Sequence, residues 1–433
     1  MLKFSRHEMI NEIRQRLREM YRYHGCWGML SRILRGFGAN LQHWVKGNLK
    51  RDQFRARMND LVSTIKTHEG FIDVLHFPVG WNNVMSQRYK HISAQMAAFS
   101  GCLALYGGNW RVDKALFVYD TTSDGVYVYD AADAFVQTGV LQALRASNAQ
   151  TMIRVQSIDR QTSLNDIHLF LEAGFRVVYE YIDLLTAEIT RDLSGEMLSR
   201  HTAVLKDERI AVLATSDKLL QDVELYREKN YFLNTNGVDP EHWKPSPRIV
   251  PRDMMSVVAG GRIILGYHGT LANWIDYDLL RLAADDGRFE IVLIGLEHDN
   301  SFAASGLNNH PRVHYLGGKP YSILNQYAAC YDIALLPFVK NDLADTVSPV
   351  KIFEYMAAGK PIVTADLLEC RKYRSCMIAE EREVFIARLE DAMSKKNDQD
   401  YLLTLSVEAD ENSWRKKAMH ILERVGIDNG GWK

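Results

Sequence analysis

Between Asp345 and Asp366 the chain reads DTVSPVKIFEYMAAGKPIVTAD, which places Lys351 and Glu354 three residues apart with Ser348 and Pro349 just ahead. The pattern predicts a short helix. Ile352, Phe353, Met356 and Ala357 fall on one face, Ser348 is a natural N-cap, Pro349 suits the first helical position, and Gly359 stops the helix before the strand PIVTA. Amides left open at such a helix start, joined by Lys351, make an anion site suited to a diphosphate. Glu354, less than two turns beyond Ser348, could accept hydrogen bonds from vicinal hydroxyls of the kind a ribose offers. The competing reading is an exposed pair of Lys351 and Glu354 at i, i+3 on a solvated face.

Two further loops point to the same edge. RIILGYHG runs as a strand into a turn at Gly266, His268, Gly269 and Thr270, and RVHYLGGKPY runs into Gly317 to Tyr321, with Lys319 and Tyr321 available to a ligand. Glycine beside a strand end lets a ligand approach the backbone, at the carboxyl edge where open α/β sheets bind ligands. Asp276 and Asp278 spell D-x-D, but at a helix start, where acidic residues are ordinary caps. No metal or other resident cofactor is expected.

These loops need strands and helices in alternation, and the sequence supplies two sets. FIDVLHFPVGWNN, KALFVYD, GVYVYD, QTMIRVQSI, FRVVYEYID and RIAVLATS precede a polar stretch with four prolines from Phe232 to Asp253, read as a linker. RIILGYHG, FEIVLIG, RVHYLGG, DIALLPF and KPIVTAD follow it. The expectation is two parallel sheets, each covered on both faces.

With 433 residues, 47% hydrophobic and 24% charged, the chain is long enough for two or three domains without staples. Five cysteines lacking zinc or redox spacing point to a reducing cytosol, and no run approaches a membrane span or the apolar core of a signal peptide. The net charge of -2 conceals two unlike parts: Met1 to Thr67 holds 14 Lys and Arg against 5 Asp and Glu, the remainder 38 against 49. Ile10, Ile13, Leu17 and Met20 recur at helical spacing beside Arg14, Arg16, Arg18 and Arg22, and Trp27 to Phe37 repeats the pattern. Such basic amphipathic helices either dock on the protein itself with the arginines solvated, or lie on an anionic membrane. Nucleic acid fits less well, since no zinc-finger or RNP motif is present.

The pieces NGVD (Asn236 to Asp239), GYHGTLANWIDYDLL, VHYLGGKPY and above all SPVKIFEYMAAGKPIV resemble the nucleotide-sugar-binding domain of GT-B glycosyltransferases, specifically family four and its close relatives. NSWRKKAMHILERV resembles the closing helix of that fold, and WNNVMSQRYKHIS a segment of the first domain, with Tyr89 where proline is usual. The resemblance runs from about Phe71 to the end. It implies two facing doubly wound parallel-sheet (Rossmann-like) domains in the GT-B architecture, to which the charge and helical spacing before Thr67 add a helical basic N-terminal extension. The corresponding division is 1-67 for the extension, 68-250 for the acceptor-side domain, 251-410 for the nucleotide-sugar domain and 411-433 for a helix crossing back.

By the same resemblance the chain would transfer a sugar from a nucleotide donor to a glycan, glycolipid or polysaccharide, and the basic arm would place it at the cytoplasmic face of the membrane, as a peripheral protein. Glu354 would hold the donor ribose, Lys351 with Ser348 and Pro349 the diphosphate, Gly266, His268, Gly269 and Thr270 the phosphate or sugar, and Lys319 to Tyr321 the base. The family commonly carries a glutamate eight residues before the ribose-binding one; here that position is Thr346, with Asp345 the nearest acid. An inverting enzyme would need a base in the first domain, for which Asp183, Asp120 and His91 are candidates, and Trp81 and Arg88 would lie on the acceptor side. A nucleotide-sugar epimerase or a catalytically silent binding protein on the same fold are the alternatives.

Overall fold

The computed structural model describes residues 51–76, 80–81, 88–108, 118–186, 193–244 and 249–427. The chain divides into two compact units, Met1–Ser63 and Thr64–Lys433. The helix Arg51–Thr67 carries Asp52 in its first turn and Lys66 in its last, each sign where the helix dipole favours it. The basic amphipathic helices expected between Ile10 and Phe37 lie outside the described residues.

The second unit holds two sheets. The first contains β1 (Phe71–His76), β2 (Cys102–Gly108), β3 (Tyr119–Thr121), β4 (Tyr127–Asp130), β5 (Gln150–Gln156), β6 (Arg176–Tyr181), β7 (Ala211–Ala214) and β8 (Tyr231–Leu233), in the order β3-β4-β2-β1-β5-β6-β7-β8. Its pairs are parallel except β3 against β4 at the edge. All six residues of FIDVLH in β1 are buried, as expected of a strand covered on both faces. The segment read as a linker begins inside this sheet, since Phe232 lies in β8. It continues through a short helix, Pro240–Trp243, whose start Asp239 caps through the amides of Glu241 and His242.

The second sheet contains β9 (Ile263–His268), β10 (Phe289–Ile294), β11 (Val313–Tyr315), β12 (Ile333–Leu336), β13 (Ile362–Ala365) and β14 (Cys376–Ala379), ordered β11-β10-β9-β12-β13-β14. The chain winds outward from β9 through β10 and β11, then returns to β12 on the other side of β9. The crevice at the carboxyl ends of β9 and β12 is therefore a topological switch point, the place where such sheets bind ligands. In the first sheet the equivalent point lies between β1 and β5.

The helix Trp414–Arg424 buries Trp414, Ala418, Ile421 and Leu422 in the same cluster as Phe71, Leu75, Tyr89, Ile92 and Met96. Side chains also tie the two sheets' loops together. Ser216 donates to the Thr346 carbonyl at 2.7 Å, Glu369 accepts from the Asp217 amide at 2.9 Å, and Lys372 pairs with Asp217 at 2.8 Å.

At the centre of the first sheet sits a buried ionic cluster. Arg154 of β5 donates twice to Asp73 of β1, both at 2.8 Å, to Glu180 of β6 at 2.9 Å and to Ser93 at 3.0 Å. Arg154, Asp73 and Glu180 are all 0% exposed. Burial pushes the Asp73 carboxyl up and outweighs Arg154 there, whereas at Glu180 the attraction of Arg154 and Arg88 overcomes burial and holds the carboxyl down.

Candidate functional site

The helix Val350–Ala357 lies beside the β9/β12 crevice, and its start differs from expectation. Pro349 is the N-cap, and no side chain caps the first-turn amides. Ser348 does not serve: its hydroxyl instead accepts the Asn236 amide at 3.0 Å while its carbonyl accepts Asn236 Nδ2 at 2.7 Å. Ser348 is thus a tie to the segment after β8, and the helix N-terminus stays open. Gly359 follows the helix in the left-handed region at φ 63°, which stops it before β13.

Lys351 and Glu354 are not a solvated pair. Glu354 is buried, and its Oε2 accepts a hydrogen bond from His268 Nε2 at 2.8 Å, a polarity fixed by the ionised carboxylate, which can only accept. Burial pushes the Glu354 carboxyl up, but the hydrogen bond and charge of His268, aided by Lys351, outweigh it and hold Glu354 below its usual range. Lys351 is half-buried, and among the described residues its ammonium makes no hydrogen bond or ion pair. Burial pulls its pKa down, with the Glu354 charge pulling back. A partly desolvated cation beside uncapped helix amides is chemically able to hold an anion.

The turn after β9 fits that purpose. Gly269 has φ 148°, and a Cβ there would stand 2.0 Å from Lys351 Cε, so the lysine stem crosses directly over the glycine. Leu271 and Gly295 amides bond to the Leu296 and Gly317 carbonyls at 2.9 and 3.0 Å, which joins the loops after β9, β10 and β11 into one floor. Thr270 is half-buried, and its carbonyl accepts the Tyr267 hydroxyl at 3.2 Å. Gly266 needs a correction: a Cβ there would lie 2.2 Å from the Tyr331 ring, so this glycine admits an aromatic ring within the core and does not open the backbone to a ligand. Lys319 donates to Asp253 at 2.7 Å, and the Tyr321 hydroxyl accepts Trp243 Nε1 at 3.0 Å. Asp345 is half-buried and accepts the Leu368 amide at 3.3 Å; Thr346 turns its hydroxyl back to the Leu343 carbonyl at 2.7 Å. Asp276 caps its helix through the amides of Asp278 and Leu279, both at 3.1 Å, and Arg382 pairs with Asp276 and Asp278. Among the described residues no three His, Cys, Asp or Glu side chains gather as a metal site would need.

The first-domain candidates separate. Asp183 follows β6 at the carboxyl edge, half-buried, with its carboxyl pushed up to about 6 by burial. Asp120 lies on the antiparallel edge strand β3, exposed and opposite Val128 rather than at a strand's carboxyl end. His91 lies flat against Trp414, with ring centroids 5.1 Å apart and planes 4° apart, and burial pulls its imidazole down to about 4. Trp81 stands near the carboxyl end of β1, edge-on to Tyr106 at 4.9 Å. Arg88 lies in the first domain but does not present its guanidinium to an acceptor: it is 5% exposed and donates inward to Asn234 at 2.6 Å and to the Thr235 carbonyl at 2.9 Å.

Two groups escaped the reading of the sequence. Asp159, just beyond β5 at the first sheet's switch point, accepts the Thr162 hydroxyl and has its carboxyl pushed up to about 6 by burial. Its only sequence signal is its place after RVQS. Trp243 stacks on His268 at 5.1 Å and 13°. Its signal was Asp239, four residues earlier, which starts the helix that delivers it.

Residues 263–395 match the family Glycosyl transferases group 1. The TuaH protein of Bacillus subtilis (strain 168), provisionally named a glycosyltransferase of teichuronic acid biosynthesis, is 24% identical over 270 residues, spanning 58% of this chain and 67% of its own. Among solved structures, HepE of Anabaena in complex with UDP and glucose is similar with a TM-score of 0.58 at 16% identity, over 83% of this chain and 100% of HepE. Sucrose-phosphate synthase of Thermosynechococcus elongatus gives 0.57 at 12% identity, over 82% and 98%. WaaG, a glycosyltransferase involved in lipopolysaccharide biosynthesis, gives 0.51 at 15%, over 82% and 99%. The fold is the GT-B fold, two Rossmann-like domains built on parallel sheets.

Proposed function

Taking the chain as what these likenesses make it, a glycosyltransferase of the GT-B fold, we propose that it moves a sugar from a nucleotide-sugar donor to a glycan, glycolipid or polysaccharide. The observation that carries the donor assignment is Lys351, a half-buried ammonium without a hydrogen-bonding partner among the described residues, beside the uncapped start of Val350–Ala357. A diphosphate satisfies both, and Glu354 one turn on meets the ribose hydroxyls. When the nucleoside diphosphate departs, negative charge grows on its phosphates, where fixed cation and amides stabilise it more in the transition state than before. This arrangement assigns the charge to protein groups and calls for no resident metal. Asp183 is the candidate base on the acceptor side, since it stands at the carboxyl edge with a raised pKa. HepE, captured with UDP and with UDP-glucose, lends support to the donor class.

The names of TuaH and WaaG favour an envelope polysaccharide or lipid-linked acceptor. The excess of Lys and Arg over Asp and Glu before Thr67 favours the anionic inner membrane face as the place of work. No helix among the described residues is long and apolar enough to cross a membrane. The test is a thermal-shift screen of nucleoside diphosphates and nucleotide sugars, since a ligand of the folded state raises the melting temperature. Stabilisation by at least one, retained in EDTA, is expected; silence from all of them overturns the donor reading. For the membrane, the full chain should sediment with anionic but not neutral vesicles, and charge reversal at Arg14, Arg16, Arg18 and Arg22 should release it.

A further inference from the structure

A continuous series of rings reaches Glu354 from the far end of the chain. The Trp414 ring, on the C-terminal helix, lies parallel to His91 of the helix Arg88–Ala98 at 5.1 Å. His91 lies 5.2 Å from Tyr321. Tyr321 stacks on His242 at 4.7 Å and 13°, and its hydroxyl accepts Trp243 Nε1 at 3.0 Å. Trp243 stacks on His268, and His268 holds Glu354. Tyr355 meets the same imidazole edge-on at 4.8 Å. The rings come from four places: the first domain, the connecting helix Pro240–Trp243, the second domain and the C-terminal helix. Trp243 and Trp414 are each 1% exposed.

An imidazole that must donate Nε2 to a carboxylate needs its plane fixed, because rotation of the ring would break the bond. Here the plane is fixed by a tryptophan that is itself fixed by Tyr321, and Tyr321 by rings on both sides. We propose that Trp243 and His91 are positioning residues of the donor site, and that the ring series sets the orientation of the Glu354 carboxylate for the ribose. His91 acts as a flat ring between Trp414 and Tyr321, not as the base. Burial, which keeps its imidazole neutral, agrees with that assignment. The inference rests on the reading of Glu354 as a ribose ligand.

The full-length chain, wild type and variants, is titrated calorimetrically with UDP, and hydrolysis of UDP-glucose is followed at varied donor concentration. Loss of one stacked pair is expected to weaken UDP about three- to tenfold. His91→Ala, which removes a stacked ring, and Trp243→Phe, which removes the Nε1 donor that holds Tyr321 and narrows the ring on His268, should both weaken UDP to that extent, raising KM for UDP-glucose while leaving kcat within about twofold. His91→Phe, which keeps a flat ring but cannot take a proton, should bind and turn over within about threefold of wild type. A kcat loss of about a hundredfold or more in His91→Phe with UDP affinity kept would make His91 the base and overturn the proposal. Equal UDP affinity in wild type, His91→Ala and Trp243→Phe would also overturn it. If wild type binds no nucleoside diphosphate, the donor reading fails first and the ring assignment with it.

Discussion

Each half of the enzyme buries charge near the middle of a sheet, and the two do it differently. Around Arg154 the guanidinium has three acidic or hydroxylic partners, all within 3.0 Å, and its two acids are fully enclosed. Around Glu354 one bond, from His268, is made, while Lys351 makes none among the described residues and the helix start beside it has no cap. A closed cluster of buried charges is satisfied by the fold alone; an open one keeps charge and amides with which a ligand could bond.

The comparison breaks most visibly at Arg154. Arg154→Ala leaves Asp73 and Glu180 buried without their cation, and the loss should be about 3–5 kcal/mol of folding free energy, measured by chemical denaturation. No single change at the open site should approach that. Gly266→Ala forces a methyl into the Tyr331 ring and should cost about 1–3 kcal/mol of stability while UDP affinity of the folded fraction stays unchanged. Weaker UDP binding with stability kept would return Gly266 to the ligand side. Glu354→Gln should leave the fold intact but weaken UDP about tenfold, with dUDP affected much less, because the carboxylate's partners are the ribose hydroxyls. An equal loss for both nucleotides would remove the ribose assignment.

The smallest effect is in pH. The folded state holds Glu354 below its usual 4.5, so its contribution to stability is present above that value and fades as pH falls through the lower folded value. Asp73 is raised above its usual 3.8, so its contribution has the opposite sign: present at low pH and lost as pH rises through the raised value. The melting-temperature gap between wild type and Glu354→Gln should therefore narrow as the solution is acidified below about pH 4.5. A gap that widens would reverse the sign assigned to Glu354.

Much of the open site was legible because its residues are neighbours in sequence. Lys351, Glu354 and Gly359 share one helix and its stop, and helical spacing is enough to bring them together. The alternation of apolar strands and amphipathic helices also gave two parallel sheets, since covered strands such as FIDVLH read as unbroken apolar runs. What stayed hidden depends on contacts across long separations. The bond of Asn236 to Ser348 removes the expected cap, and a Tyr331 ring explains Gly266, yet neither partner lies within the local pattern. The cluster of Asp73, Arg154 and Glu180 was invisible for the same reason: one charge per strand looks like an interruption until the three strands are adjacent. Arg88 belongs to this group too: its partners Asn234 and Thr235 lie far along the chain, in the loop after β8 that folds over it.

The central claim is that the open charge cluster is a diphosphate site, and calorimetric titration of wild type and Lys351→Ala with UDP tests it most directly. Wild type should bind UDP, and Lys351→Ala should bind it about 10- to 100-fold more weakly at an unchanged melting temperature, since a charge-assisted contact is lost and no native hydrogen bond is. Equal affinity in the two proteins, at any melting temperature, would contradict it.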